Sequence, residues 1–506
     1  MPGDTTVTRV AWLLPVLCAA IVYAPILGNY FHADDFLDLY QLHNDTPAQY
    51  LLRMYGGHIL IARNAITALL ATTFGPNPVA FFVLALATHL TNVALLYWAA
   101  LRLGVGWRLA CVAGTMWGIA PADEGAVGWY AVYGQVAATT CILAVLVSLS
   151  GAAQSLAGGN WRRPAAWAAA MVLAGMLFGV GIAAALVMPA IAWLLLPTSS
   201  LRRRAIWSFA AAAVMLLAMF VTLRALELRL YGEQRVETTL MVLGLGGVTR
   251  HVPMLAALFT AGLALWPLGP LTDPMLFPTS AQLIAAACGA VLIGAGFVWA
   301  APSQRRRMAA CLLLAAAIYG LIAVARSMFI QLGLAVLARS SRYHYAAGAL
   351  LSLLICLAIA ALVARLHVSL RAGRIAFAGW LIGLAIVLLC NERRIDHYDG
   401  DRRSTVAALA DIQRAIDATP RGDTAVIPVQ PFGAVGFVNF PYRDRFPGTA
   451  ALFAVFYPDN VVDGHPVVFT SSDPLTLRGA RGRRAASLLQ AVPDPAATPG
   501  AAAARP

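Results

Sequence analysis

The sequence predicts an all-α polytopic membrane protein that carries a small α/β domain near its C-terminal end. Three observations predict it. The 506-residue chain is 60% hydrophobic and only 12% charged, where an ordinary soluble protein has about 25% charged residues. Apolar runs of roughly 20 residues, each long enough to cross a bilayer, recur from residue 10 to residue 391. All 36 basic residues are arginine, and 14 of them gather in short clusters between those runs, as the positive-inside rule requires of cytoplasmic loops. The net charge of +13 therefore reflects topology, and no nucleic-acid partner is expected.

The arginine clusters thread the chain. Arg9, the pair Arg102 and Arg108, the pair Arg162 and Arg163, the run Arg202, Arg203 and Arg204, the run Arg305, Arg306 and Arg307, and Arg365, Arg371 and Arg374 are assigned to the cytoplasm. The expected spans between them are 10–29, 79–101, 108–121, 130–150, 165–179, 181–197, 205–223, 279–300, 308–325, 345–364 and 375–391, about eleven in all. The N-terminus is then cytoplasmic, in the cytoplasmic (inner) membrane, and the C-terminal domain extracytoplasmic. The first run is too long for a cleaved signal peptide and is followed by further spans. The apolar run 241–268 breaks the alternation if it crosses, so it is expected to be an interfacial or re-entrant helix on the outer side. Acidic residues have little influence on topology, yet of the 23 present only Asp4 falls on the cytoplasmic side. Their one-sidedness points to work on the outer face.

The first outer loop, 30–78, opens with NYFHADDFLDLY, which places Asp34, Asp35 and Asp38 where the first span ends. DTPAQYLLRMY (45–55) starts like a helix, with Asp45 or Thr46 as cap and Pro47 in the first turn. HILIARNAITALL (58–70) has apolar residues at helical spacing and Arg63 and Asn64 on its polar side. Two short helices lying along the membrane surface are expected.

Residues 1–391 thus form the transmembrane domain. Residues 392–490 form the small α/β domain, with a helix at 402–418 and strands at TAVIPVQ (424–430), FGAVGFVNF and HPVVFT. Residues 491–506, rich in alanine and proline, are expected to be disordered. All seven cysteines lie in or beside apolar runs, which excludes a disulfide framework and a cysteine metal site.

Several motifs of the first four spans resemble a known family. The aspartates follow the first span, and a long outer loop comes next. FGPNPVAFFVLALATHLTNVALLY (74–97) is similar to that family's entry to the second span, and PADEGAVGWY (121–130) to its next outer turn. The sequence resembles GT-C-type integral membrane glycosyltransferases, in the group of protein O-mannosyltransferases, aminoarabinose transferases and tetratricopeptide-bearing mannosyltransferases. The resemblance covers residues 10–200 well and the later spans loosely. It implies a GT-C-like fold and an enzyme that moves a sugar from a polyprenyl-phosphate donor to an acceptor hydroxyl, with inversion, on the outer face. The acceptor would be a glycan, a lipid or a protein.

The resemblance also implies roles. A loop-one aspartate acts as general base, here Asp34 or Asp35, with Asp34 favoured. A hydroxyl nucleophile needs such a carboxylate within hydrogen-bond reach. Asp38 shares a helical face with Asp34, and close like charges raise a carboxyl's pKa. Asp123 and Glu124, in the outer turn, and Asp38 are candidates for positioning the acceptor or a divalent cation. No metal is assigned. Departing phosphate needs cationic donors, and Arg63, Arg342, His58, Arg339 and Tyr343 are the candidates. Arg326 is a further outer arginine. The simpler readings are helix caps for the acids and headgroup snorkelling for Arg63. His89 and Asn92, inside the second span, read as helix–helix bridges. In relatives an acid stands between the fifth and sixth spans. Here FGVGIAAALVMP (178–189) has no charge. The rival functions are a lipid-linked-sugar transporter or flippase and a non-catalytic GT-C-like scaffold.

Overall fold

The computed structural model describes residues 5–31, 34–153, 161–197, 199–231, 248–268, 279–326 and 333–390, with residues 410, 414, 417–420, 423, 425–428, 461–462 and 465–470 of the C-terminal part. The helices are α1 (Thr5–Val10), α2 (Leu13–Tyr23), α3 (Asp34–Asn44), α4 (Pro47–Leu52), α5 (Ile61–Phe74), α6 (Pro78–Arg102), α7 (Trp107–Gly118), α8 (Glu124–Val127), α9 (Tyr133–Ala152), α10 (Arg162–Leu177), α11 (Gly179–Leu195), α12 (Ser200–Tyr231), α13 (Val248–Leu268), α14 (Thr279–Trp299), α15 (Pro302–Arg326), α16 (Leu334–Ala338), α17 (Tyr345–Arg365) and α18 (Leu370–Cys390).

Among the described residues, 8 helices are long and apolar enough to cross a membrane. The expected spans at 108–121, 165–179 and 181–197 are present as α7, α10 and α11, of 12, 16 and 17 residues. These lie at or below the shortest length that crosses a bilayer, about 17 residues. Large apolar side chains such as Ile21, Trp207, Val291 and Leu389 point outward, as a lipid-facing surface requires.

Inside, α6 packs on α7 and α9, α11 on α12 and α15, and α15 on α17. Buried polar groups fasten these helices. His89 bonds the Tyr345 hydroxyl (2.9 Å) and the Gly118 carbonyl (3.0 Å), while the Asn92 amide donates to the Val136 carbonyl (2.9 Å) and to Tyr345 (3.1 Å). These two residues bridge helices, as their position in the second span suggested.

The run expected to be interfacial or re-entrant is packed among spans over its described part, as the re-entrant alternative allows. Over its described part it is the continuous helix α13, packed on α14, α15 and α17. The Phe259 ring meets Tyr319 of α15, and the Trp266 indole donates to Ser352 of α17 at 3.2 Å. That half of α13 lies beside the interiors of two spans, not along the surface. Met254 and Leu258, buried against them, explain the preference.

The long loop after the first span folds into α3, α4 and α5. Thr46, not Asp45, caps α4, in a reciprocal capping box with Gln49. Asp45 pairs with Arg53 at 2.5 Å. The polar face of α5 turns inward: Arg63 and Asn64 are buried, while Leu69 and Phe74 are exposed. Arg63 therefore does not snorkel to the surface.

The described residues after 420 include a three-stranded sheet in the order β1 (Ala425–Pro428), β3 (His465–Thr470), β2 (Val461–Val462), with β1 parallel and β2 antiparallel to β3. The strand expected at FGAVGFVNF and most of the helix expected at 402–418 lie outside the described residues.

Candidate active site

A single turn of four residues, Tyr55 to His58, starts the site. In Arg-Met-Tyr-Gly-Gly-His, Gly56 and Gly57 have φ of +56° and +77°. Those values suit the two central residues of a type I′ turn, which a side chain would strain. The turn closes through the His58 N–H on the Tyr55 carbonyl at 2.9 Å. It delivers Tyr55 and His58 to the rim of a cavity.

The cavity takes its other walls from the ends of the bundle. Asp34 opens α3. Trp129 and Gln135 come from the turn before α9 and from its first helical turn. Phe178 and Gly179 sit at the α10–α11 junction, Arg326 ends α15, and Arg342 and Tyr343 precede α17. Of the residues expected from sequence, the structure gathers Asp34, His58, Arg342 and Tyr343 here. Arg326 joins them. Asp34 is the only carboxylate among the described residues that line the cavity.

Asp34 is half-buried. Burial raises its carboxyl above the ordinary carboxylate range. The Tyr55 hydroxyl and the charges of Arg342, Arg63 and Arg326 oppose that rise without cancelling it. Asp35 turns the other way. It is 1% exposed, and its Oδ1 accepts the Ala131 N–H at 2.6 Å, tying α3 to the turn before α9.

The two arginines rest on aromatic faces. The Arg342 guanidinium lies 5.1 Å from the Trp129 ring and 5.2 Å from Tyr343; Arg326 lies 5.9 Å from Tyr343. Burial alone would raise the Tyr343 phenol, but the charges and hydrogen bonds of Arg326 and Arg342 outweigh it and lower its pKa. Gln135 donates to the Arg342 carbonyl at 2.7 Å. Gly125 of the PADEGAVGWY turn packs so closely on Ser341 that a Cβ there would meet its Oγ at 2.0 Å. The turn thus braces the segment that carries Arg342.

The other expected residues go elsewhere. Arg63 does not line the cavity. Both ends of its guanidinium bond Asp38, the second at 3.1 Å. Asp38 is itself pushed up to about 6, first by burial and then by Asp34, with Arg63 pulling down. His58 is pressed on Phe178, with ring centroids 4.1 Å apart. Burial, then Arg326 and Arg63, pushes its imidazole down to about 3. It is neutral near pH 7 and offers a phosphate no charge. Arg339 lies outside the cavity and donates to Thr279 at 2.8 Å. Asp123 is 1% exposed and its Oδ2 has no hydrogen-bond partner. Burial pushes that carboxyl well above its ordinary value. Glu124 is buried beside it. Among the described residues no three or more His, Cys, Asp or Glu side chains are grouped to hold a metal ion.

Sequence reasoning passed over Tyr55, Trp129, Gln135 and Phe178. The Gly-Gly pair was a signal for the first. The uncharged stretch 178–189 gains a use as well: Phe178 backs His58, and Gly179 leaves room for it.

No protein-family model and no curated protein matches the chain. Two solved structures are similar to it over 92% of its length, both of ArnT from Cupriavidus metallidurans. The apo form is 16% identical with a TM-score of 0.37, covering 87% of that chain. The form bound to undecaprenyl phosphate is 14% identical with a TM-score of 0.35, covering 86%.

Proposed function

We propose that this protein is a glycosyltransferase that moves a sugar from a polyprenyl-phosphate donor to an acceptor hydroxyl at the outer face of the cytoplasmic membrane. The observation that carries this reading is one cavity, at the end of a bundle of apolar helices, lined by a single carboxylate, Asp34, and by two arginines, Arg326 and Arg342.

The chemistry needs that combination. The acceptor oxygen attacks the anomeric carbon and its proton passes to the Asp34 carboxylate. The bond from carbon to phosphate oxygen breaks, and its electron pair leaves with the phosphate. A base whose pKa lies above the ordinary carboxylate range is better matched to neutral conditions. The growing charge on the leaving phosphate falls to the two guanidinium groups. Their planar forks suit phosphate oxygens, and the aromatic faces beneath them limit their motion. Trp129, Phe178 and Tyr343 supply flat walls for a sugar ring. A donor with a polyprenyl tail stays in the bilayer, so its reacting bond must lie near the membrane boundary, where α3 begins.

The test is release of polyprenyl phosphate from labelled polyprenyl-phosphate sugars by membranes holding the wild type, Asp34→Asn or Arg342→Gln, with envelope extract as acceptor. Turnover lost in Asp34→Asn, with donor binding retained, supports the reading. Turnover unchanged in Asp34→Asn removes that residue as base. Folded protein that binds every donor and turns over none favours a scaffold, and donor flipped between leaflets without turnover favours a transporter.

A further inference from the structure

A second pocket lies at the opposite end of the same helices. The active-site cavity uses the first residues of α11 and the last of α15; this pocket uses Leu194 and Leu195 of α11 and Ser303, Arg306 and Arg307 of α15. Arg306 and Arg326 stand on one helix, separated by about 30 Å at 1.5 Å per residue, the thickness of a bilayer's hydrocarbon core. Arg102, at the end of α6, and Ser150, near the end of α9, complete it, and among the described residues no acidic one lines it.

Arginines at such a place have a simpler use. Three helices, α6, α9 and α11, end here, and cations near helix C-termini are favourable. Arg307 serves partly in that way, donating to the Leu103 carbonyl at 2.7 Å. Ser150 is not explained so. It is 4% exposed, lines the pocket, and its hydroxyl has no hydrogen-bond partner. A helical serine commonly bonds the carbonyl one turn back, and a buried hydroxyl left without a partner is costly. An acceptor supplied from outside the protein removes that cost. With three arginines lining the same pocket, the acceptor that fits is an anionic oxygen.

We propose that this pocket binds a phosphate group, with Arg102, Arg306 and Arg307 meeting its charge and Ser150 donating to one oxygen. Basic pockets between membrane helices are suited to the headgroups of anionic phospholipids, and the same donors fit inorganic phosphate. The site is separate from the proposed reaction, and its occupancy is read without any transfer assay.

The full chain in phosphatidylcholine nanodiscs tests it in two arms. One adds inorganic phosphate; the other includes phosphatidylglycerol in the nanodisc. The readout is the thermal unfolding midpoint, which a ligand of the folded state raises saturably. A rise with inorganic phosphate identifies a free phosphate as sufficient; a rise with phosphatidylglycerol alone identifies the lipid headgroup. In either arm Arg306→Gln weakens the apparent affinity about tenfold or more, and Ser150→Ala weakens it too. Arg305→Gln removes an equal charge next door, outside the pocket, and leaves it unchanged. Arg306 is exposed, so its variant keeps the fold even if the serine variant does not. No saturable rise in either arm overturns the proposal. An equal loss in Arg305→Gln overturns it as well, because general charge attraction then accounts for the effect.

Discussion

Arg63 and Asp38 close on each other with both guanidinium ends on both carboxylate oxygens, and Arg63 is 1% exposed. The pair pins α5 to α3, one helical turn beyond Asp34. Removing one partner leaves the other buried without compensation. Arg63→Gln should lower stability by about 3–5 kcal/mol; Asp38→Asn should cost less, because burial already favours a neutral side chain at that position in the folded state. An apolar pair, Asp38→Leu with Arg63→Met, should cost far less than the sum. Unfolding of the purified variants in detergent checks this. Additive losses would show that the two residues act separately.

The neighbouring aspartates should separate by effect. Asp34 lines the cavity and Asp35 holds the Ala131 N–H. Asp34→Asn should lower kcat by about 10²–10⁴ with stability kept. Asp35→Ala should lower stability by about 1.5–3 kcal/mol, the range for a hydrogen bond to a charged group. Paired measurements of turnover and unfolding decide it. A stable but inactive Asp35→Ala would reverse the roles.

Much of this was readable from the sequence, and the limits have physical causes. The apolar runs fixed most helices because length and hydropathy are local properties. Asp34 stood out because a carboxylate at the end of a span is unusual. The partner of Arg63 was not readable: Asp38 lies 25 residues away, and only the tertiary fold joins them. Arg326 and Phe178 enter the site through helix ends that meet from distant parts of the chain. His58 looked like a cation by residue type, but burial decides its charge. The sequence left α13 as interfacial or re-entrant because an apolar helix can be buried among spans as readily as at an interface, and its packing on α14, α15 and α17 favours the second.

The pKa shifts predict two pH effects. The proton on Asp34 must leave before it can act as base. Turnover should therefore rise with pH through a value above the ordinary carboxylate pKa of 3.8. His58 stays neutral across the working range, so His58→Phe should not move that rise. The stability effect comes from Asp38, raised from 3.8 to about 6 in the folded protein. Between those values the folded state holds more protons than the unfolded state, so stability falls as pH rises. Asp38's contribution is full below 3.8 and lost as pH passes about 6. Wild type measured against Asp38→Asn isolates it, since His58, with its opposite sign, is common to both. A difference constant across that window would contradict the shift.

Gly179 is needed for closeness. A Cβ there would lie 2.5 Å from His58 Nδ1 and 3.0 Å from its Cε1. His58 cannot retreat without leaving Phe178. Gly179→Ala should cost about 1–3 kcal/mol, as overpacking does, and should raise KM for the donor. Adding His58→Ala should recover most of the lost stability. If the double variant is no better than the single, the clash lies elsewhere.

Arg342→Lys tests whether shape or charge matters at the donor phosphate. Lysine keeps the charge but loses the planar fork and its stacking on Trp129 and Tyr343. If the fork holds phosphate oxygens as the leaving group departs, kcat/KM should fall at least tenfold with the fold intact, and Arg342→Gln should fall further. Arg326→Lys should be milder, because its guanidinium lies farther from the Tyr343 ring, at 5.9 Å against 5.2 Å. The comparison is steady-state kinetics on one donor for all three variants. Equal activity of Arg342→Lys and wild type would mean that the site needs only positive charge there, and the aromatic faces would then serve the sugar and not the arginine.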